Sequence, residues 1–377
     1  MENSIWIQVV SVGEVILIAK LLEKLKNSFD SPIVISTTTL TGYRVAKKNY
    51  AHLAEIIFFP LDISVIIKKL IRIIKPKIFI AVETEIWPNL FYRLKRKNVP
   101  IIIINGRISD KAFSRYCQIR SIIKPVINQC SYIGVQNLNY QNRFIALGAS
   151  ESKISITGNL KFEGISLNQE HLASIKKAYL PILKNNNFLA LIAASTHDPE
   201  EEIIIDIYEK MCQTHKNLSL LIAPRHIERI PIIEKFISSK DFNPIRIKSA
   251  TGNEKKAIYL LDTVGELLYF YALCDICFVG GSLSGSGGHN ILEPMHLLKP
   301  TCFGPSMENF KDIESIALEK NAALKISDAT HLKDVLSKLI DDPQMRDQLR
   351  KNCIRVLEDE KVSLEKNFGL IKRCICA

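Results

Sequence analysis

IWIQVVSVGEVILIAKLLEKLKN, residues 5–27, changes its period partway along. Up to Val10 it is crowded with apolar and β-branched residues, as in a buried strand; from Val15 the apolar residues return at helical spacing with Lys and Glu between them. Only Ser11, Val12, Gly13 and Glu14 separate the two patterns. A strand that turns so quickly into a helix is the first half of a βα unit. Glu14 opens the helix, where the free N–H groups and the dipole of the first turn favour negative charge. Position alone therefore predicts a carboxylate ionised at neutral pH and ready to take a proton. An ordinary helix-start acid would occupy the same place.

The pattern then recurs. PIVISTT, KIFIAVE, PIIIIN and SYIGVQ are short β-branched runs in residues 32–136, each followed by a helical stretch. Continuous apolar strands alternating with helices specify a parallel sheet covered on both faces, a Rossmann-like lobe. After GNLKFEGISLNQ (158–169) the alternation restarts with FLALIAAS, NLSLLIAPR, AIYLLD, DICFVGG and PTCFG. The fold class is α/β with two Rossmann-like lobes whose parallel sheets face a cleft. The expected boundaries are a first domain over 1–165, a linker near 163–175, a second domain over 176–350, and a closing helix over 351–377 that packs back on the first domain. In open parallel sheets ligands bind beyond the carboxyl ends of the strands, so the strand ends are where chemistry is sought.

At 377 residues the chain has room for two such lobes, and 47% hydrophobic with 24% charged residues is ordinary globular usage. The net charge of +11 calls for an anionic partner: a phosphate-bearing substrate, a lipid surface or nucleic acid. No basic strand interleaved with aromatics and no zinc motif accompanies the charge, which argues against nucleic acid. Nine scattered cysteines suit reduced thiols; Cys274 and Cys277 have CxxC spacing but stand in the apolar run YALCDICFVGG and read as core. No run of apolar residues is long enough to span a bilayer. In ISVIIKKLIRIIK (63–75), Ile63, Ile66, Ile67, Leu70, Ile71 and Ile74 follow helical spacing while Lys68, Lys69, Arg72 and Lys75 gather elsewhere. That is either a core-facing helix with a solvated cationic side or one that leans on anionic lipid.

Three further stretches carry chemistry. In ETEIWPN (83–89), Glu83 and Glu85 lie two apart at a strand end, so an extended backbone would aim both carboxylates to one face. In FVGGSLSGSGGHNILEP (278–294), five glycines follow an apolar strand and lead to Asn290, which has capping-box spacing to Glu293; the stretch reads as a nucleotide-phosphate cradle. Its spacing fits neither GxGxxG nor a P-loop. Arg225 ends the strand of LIAPRH, where a guanidinium grips phosphate well, and Lys161 in GNLKF lies near the interlobe crossing.

In this order WIQVVSVGEV, ETEIWPN, NGRIS, TGNLKFE, AASTHDPEE, LIAPRH, VGELLYFY, FVGGSLSGSGGHNILEP and GPSMENFKDI resemble the 3-deoxy-D-manno-octulosonic acid (Kdo) transferases of Gram-negative bacteria over residues 5 to about 320. The resemblance implies the GT-B fold and an inverting transfer of Kdo from CMP-Kdo to the 6-hydroxyl of a lipid A precursor at the cytoplasmic face of the inner membrane, with no cofactor and no metal. It implies Glu14 as general base, Glu83 and Lys161 as transition-state stabilisers, and CMP contacts from Pro224, Arg225, Gly265, Glu266, Leu267 and Asn290, Ile291, Leu292, Glu293. CMP already leaves as an acidic phosphate, so one base and some cations or N–H dipoles suffice.

Three departures stand out. Family members carry a membrane anchor ahead of the first strand, which here begins by Ile5, so the expectation is either a sequence trimmed ahead of that strand or a peripheral chain docked on the anionic membrane by its basic surface alone. Gln8 replaces a small polar or His residue, and SGSGG lacks a charged residue before the paired glycines. Rival readings are a UDP-sugar GT-B transferase or epimerase, separated by binding of CMP against UDP, and a non-catalytic basic membrane-binding module, separated by the effect of Glu14→Ala.

Overall fold

The structure is a computed structural model in which residues 2–163, 167–184 and 188–376 are described. The chain divides into two compact units, Met1–Glu163 with Glu360–Ala377, and Gly164–Asp359. The helix Gln169–Leu183, part of which the sequence reading gave to the linker, falls in the second unit; linker residues 164–166 lie outside the described residues.

The first unit holds strands β1 (Ser4–Val9), β2 (Ile33–Thr37), β3 (Glu55–Phe58), β4 (Pro76–Val82), β5 (Ile101–Gly106), β6 (Tyr132–Val135) and β7 (Ile154–Ile156). They form one parallel sheet in the order β3-β2-β1-β4-β5-β6-β7. Every residue of β1 and β5 is buried, as a sheet covered on both faces requires. Alternate residues feed two cores: Trp6, Phe79, Ile101 and Ile103 pack with Phe91 and Phe144 on one side, while Ile5, Ile78, Ile80 and Ile102 pack with Leu21 and Phe368 on the other. Gln8 is fully buried and donates to Thr38 Oγ1 at 3.2 Å, beside a Trp6 Nε1 bond to Ser36 Oγ at 2.7 Å, so this departure serves a polar tie within the sheet.

The second unit repeats the plan with β8 (Leu189–Thr196), β9 (Leu218–Pro224), β10 (Asn243–Arg246), β11 (Ala257–Leu260), β12 (Ile276–Val279), β13 (Thr301–Phe303) and β14 (Leu324–Lys325), again all parallel, in the order β10-β11-β9-β8-β12-β13-β14. Cys274 and Cys277 are buried with their sulfurs 3.2 Å apart.

Two helices end the chain. Pro343–Glu360 serves the second unit, and Ser363–Ile375 returns to the first. Asn367 of the returning helix is fully buried and accepts from Asn105 N at 3.4 Å, while Glu163 Oε1 accepts from Leu364 N at 2.6 Å and from Ser363 Oγ at 2.9 Å. The basic helix runs Ser64–Ile74 and buries Ile67, Ile71 and Ile74. Ile63 and Ile66, which share the helical spacing of these three, are 49% and 40% exposed, and with Leu61, Val65 and Phe58 they leave apolar surface beside Lys68 and Lys69.

Candidate functional site

The strand order of the first unit reverses direction between β1 and β4, which opens a crevice beyond their carboxyl ends. Glu14 follows β1 and Glu83 follows β4. Ser11 caps the helix Val12–Leu17, and its hydroxyl donates to Glu14 Oε1 at 3.0 Å while Val10 N donates to Oε2 at 2.8 Å. This is a capping box whose second arm reaches one residue further back than usual. Glu14 is only 9% exposed, and its pKa is raised. Burial is the main cause, opposed by the Val10 bond and reinforced by the nearby Glu83 charge. The expectation that the helix start would favour the charged form is thus reversed in sign: desolvation outweighs the N–H donors, and a carboxylate raised in this way is a stronger base once ionised.

The second expectation fails on backbone geometry. β4 ends at Val82, and Glu83 has φ +60, so Glu83 and Glu85 are not alternate residues of one strand. The turn aims Glu83 Oε2 at Arg107, whose Nε donates to it at 2.7 Å. Glu85 instead accepts from Trp87 Nε1 at 3.0 Å, and its carboxyl is pushed up to about 8, first by burial and then by the charges of Glu14 and Glu83. Three carboxyls therefore share one electrostatic neighbourhood, with Arg107 paired to one of them. Lys161 lies half-buried in a 3-10 turn, Leu160–Phe162, whose Leu160 N donates to Asn105 Oδ1 at 2.9 Å and whose Lys161 N donates to Asn159 Oδ1 at 3.0 Å. The turn is thereby fixed to the carboxyl end of β5, next to β4.

In the second unit the site residues collect at the ends of β9, β8 and β12, three neighbours in the sheet. The glycine-rich loop does not offer its first N–H groups to a ligand. Glu200, fully buried at the start of the helix Glu200–Met211, accepts from Gly281 N at 2.7 Å, Ser282 N at 3.0 Å, Leu283 N at 2.7 Å and Ser284 N at 3.3 Å, and from His197 N at 3.0 Å. An internal carboxylate fills the nest that the sequence reading gave to a phosphate. Gly280 is needed for this approach, because a Cβ there would stand 2.6 Å from Glu200 Oε2.

The side chains around that loop remain available. Arg225 and His226 are exposed just past Pro224, the last residue of β9. His197 Nε2 and His289 Nε2 are 2.8 Å apart with their rings stacked, and His226 stands edge-on to His197. Burial and the nearby His197, Arg225 and His226 push His289 down to about 4. Asn290 bonds Glu293 Oε1 at 3.2 Å through Nδ2 and accepts from Leu292 N at 3.1 Å; the helix itself is short, Leu292–His296, and begins two residues later than expected. Glu293 is raised by burial, with Asn290 and Arg225 opposing. Ile291 and Leu292 have buried side chains, so only their backbone is suited to a nucleotide. Gly265, at φ +87, precedes Glu266, which caps the helix Leu267–Leu273 beyond β11. A cavity of about 690 Å³ opens near the opposite, amino-terminal ends of β9 and β11, lined by Tyr208, Leu218 and Ala257, away from all of these residues.

Residue by residue, the sequence reading missed Arg107, Glu200, His197, His226 and His289 as site members, although all five stand in motifs quoted for the resemblance. The partners that reveal them are remote in sequence: Glu83 lies 24 residues from Arg107, Gly281 lies 81 from Glu200, and His289 lies 92 from His197.

Two units of seven parallel strands each, with candidate groups at the carboxyl ends, define the GT-B architecture. A UDP-GlcNAc 2-epimerase from Neisseria meningitidis shares that fold, with a TM-score of 0.66 over 99% of both chains at 12% identity. The family model described as 3-deoxy-D-manno-octulosonic-acid transferase matches residues 1–164. A 3-deoxy-D-manno-octulosonic acid transferase from Haemophilus influenzae is 33% identical over 98% of this chain and 87% of its own. A bifunctional glycosyltransferase/methyltransferase from Fusobacterium nucleatum is 36% identical over 86% of this chain, which spans 51% of that protein's length. The chain belongs to the Kdo transferase family, whose members are glycosyltransferase enzymes.

Proposed function

We propose that the protein transfers Kdo from CMP-Kdo to the 6-hydroxyl of a lipid A precursor with inversion at the anomeric carbon. The observation that carries this reading is Glu14: a sheltered carboxyl at the switch point of the first sheet, held by Val10 N and Ser11 Oγ and raised in pKa by burial. In the reaction Glu14 takes the hydroxyl proton as the acceptor oxygen bonds to the anomeric carbon of Kdo. The bond from that carbon to the phosphate oxygen breaks, and CMP departs with the electron pair. Glu83, oriented by Arg107, and Lys161 stabilise the charge that shifts along this path. Arg225, Pro224, the Gly265–Leu267 turn and the Asn290–Glu293 segment hold CMP, Arg225 supplying charge-assisted bonds to its phosphate.

The lipid acceptor calls for a membrane surface. Among the described residues no helix is long and apolar enough to cross a membrane. The helix Ser64–Ile74 suits a peripheral seat, since exposed Leu61, Ile63, Val65 and Ile66 adjoin Lys68, Lys69 and Arg72. Incubation with CMP-Kdo and a tetra-acylated lipid A precursor in vesicles, followed by mass spectrometry, tests the whole reading. The expected product is the acceptor carrying added Kdo, and unchanged acceptor with folded protein that binds CMP would overturn it.

A further inference from the structure

The imidazoles at the ends of β8, β9 and β12 are left over by the reaction as written. His197 and His289 come from loops 92 residues apart in sequence, yet their Nε2 atoms meet at 2.8 Å with ring planes 7° apart. At that distance one Nε2 carries a hydrogen and the other offers its lone pair, so the two rings share a single N–H···N bond. Gly281 makes room for the contact, since a Cβ there would lie 2.7 Å from His289 Cδ2 and 3.5 Å from His197 Cδ2. Arg225 and His226 stand on the same side. A guanidinium beside imidazoles repels a metal cation and attracts an anion.

We propose that the His197–His289 pair, with Arg225 and His226 beside it, is a subsite for the ionised groups of the donor, and that donor binding loads the pair with one proton from solvent. The proposal rests on the CMP-Kdo reading and deepens it. That donor presents two separate anionic groups close to the reacting carbon, a phosphodiester and the carboxylate of the sugar acid, and one guanidinium balances only one of them. The incoming proton settles on the ring nitrogen left unprotonated in the neutral donor imidazole. An imidazolium still donates to its neutral partner, so the N–H···N bond survives and one net positive charge is gained. A second proton would break the bond, which limits the uptake to one.

The groups facing the pair set the direction of the coupling. His289 meets His197, Arg225 and His226, all of which disfavour a further positive charge, and burial acts the same way, so the empty site keeps His289 neutral with its pKa lowered to about 4. Glu200 Oε2 accepts from His197 N at 3.0 Å but is bound to the backbone N–H groups of the glycine-rich loop, Glu293 is bonded to Asn290 and Asp198 to Arg229, and the groups that shift His289 are burial, His197, Arg225 and His226, with no carboxylate among them. An anion brought by the donor supplies the missing counter-charge and raises the pair's affinity for a proton.

Both donor groups stay fully ionised near neutral pH, so any proton taken up goes to the protein. Calorimetric titration of the full chain with CMP-Kdo, without acceptor, in buffers of differing ionisation enthalpy reads the uptake directly. The expected result is net uptake that approaches one proton as pH falls from about 8 to about 6, with affinity rising up to about tenfold per unit. His289→Gln and Gly281→Ala, checked for folding by circular dichroism, are expected to lose the uptake and to bind about tenfold more weakly near pH 6 than the unaltered chain. Binding without uptake, or uptake that persists in His289→Gln, overturns the proposal while the donor reading stands. Failure of the folded, unaltered chain to bind CMP-Kdo overturns the donor reading, and this inference with it.

Discussion

The two units use the same seven-stranded parallel sheet, yet the chemistry at their strand ends has opposite sign. The first gathers Glu14, Glu83 and Glu85 around the β1/β4 switch point with Arg107 on one of them; the second gathers Arg225, His197, His226 and His289 at the ends of β9, β8 and β12. The strands are interchangeable apolar runs, so the difference lies wholly in the few residues that follow each one. A proton acceptor for an alcohol belongs among carboxyls, and a phosphate among cations. The scaffold permits either, and the loops choose.

The sharpest way to break the contrast is to remove the proposed base. Glu14→Ala is expected to lower Kdo transfer by about a hundredfold to ten-thousandfold while CMP binding, measured by calorimetry, persists; equal turnover would end the assignment. Next in size is Glu200, a buried acidic group beneath the glycine-rich loop of the second unit. Glu200→Ala leaves up to five N–H donors unpartnered under a buried loop, and a loss of about 3 kcal/mol or more is expected in chemical denaturation of the protein. If stability is unchanged, the loop's N–H groups are free for phosphate after all. Arg225→Ala is expected to weaken CMP binding by about 1.5 to 3 kcal/mol, measured by calorimetry. Replacing Lys68 and Lys69 together by Gln should cost about 2 kcal/mol of partition onto anionic vesicles, read by sedimentation, with turnover on a detergent-dispersed acceptor retained.

The last test concerns Glu85. Its folded-state value of about 8 lies above the ordinary carboxyl value of 4.5, so the folded chain keeps a proton that the unfolded chain has released. The resulting stabilisation is complete below the ordinary value and is lost as pH rises through about 8. Glu85→Gln should therefore flatten the decline of the melting temperature between about pH 6 and pH 9. A parallel decline in both proteins would show that neither burial nor the charges of Glu14 and Glu83 hold Glu85 protonated.

Both sheets were legible in their interiors and illegible at their rims. All ten central strands were read from apolar runs, whereas β3, β7, β10 and β14 were not, and these are the four edge strands. An edge strand has a neighbour on one side only; β7 and β14 are three and two residues long and mostly exposed, so neither has a continuous apolar run to announce it. The site divides in a similar way. Glu14 was legible because a local turn places it, and Arg225 because it ends a strand. Glu83 was misjudged because a left-handed residue breaks the two-residue period, and nothing local signals such a φ. The Glu200 nest and the histidine pair were hidden because each joins segments more than eighty residues apart in sequence, a pairing that only the sheet order creates.

The returning helix Ser363–Ile375 has a consequence for biosynthesis. The first unit needs it to cover Asn105 and Phe368's neighbours in the core, yet roughly 200 residues of the second unit are translated in between. At ordinary elongation rates the nascent first sheet waits on the order of 10 to 40 s for its last helix. During that interval it has an open apolar flank, which exposes the nascent sheet to aggregation until the last helix arrives.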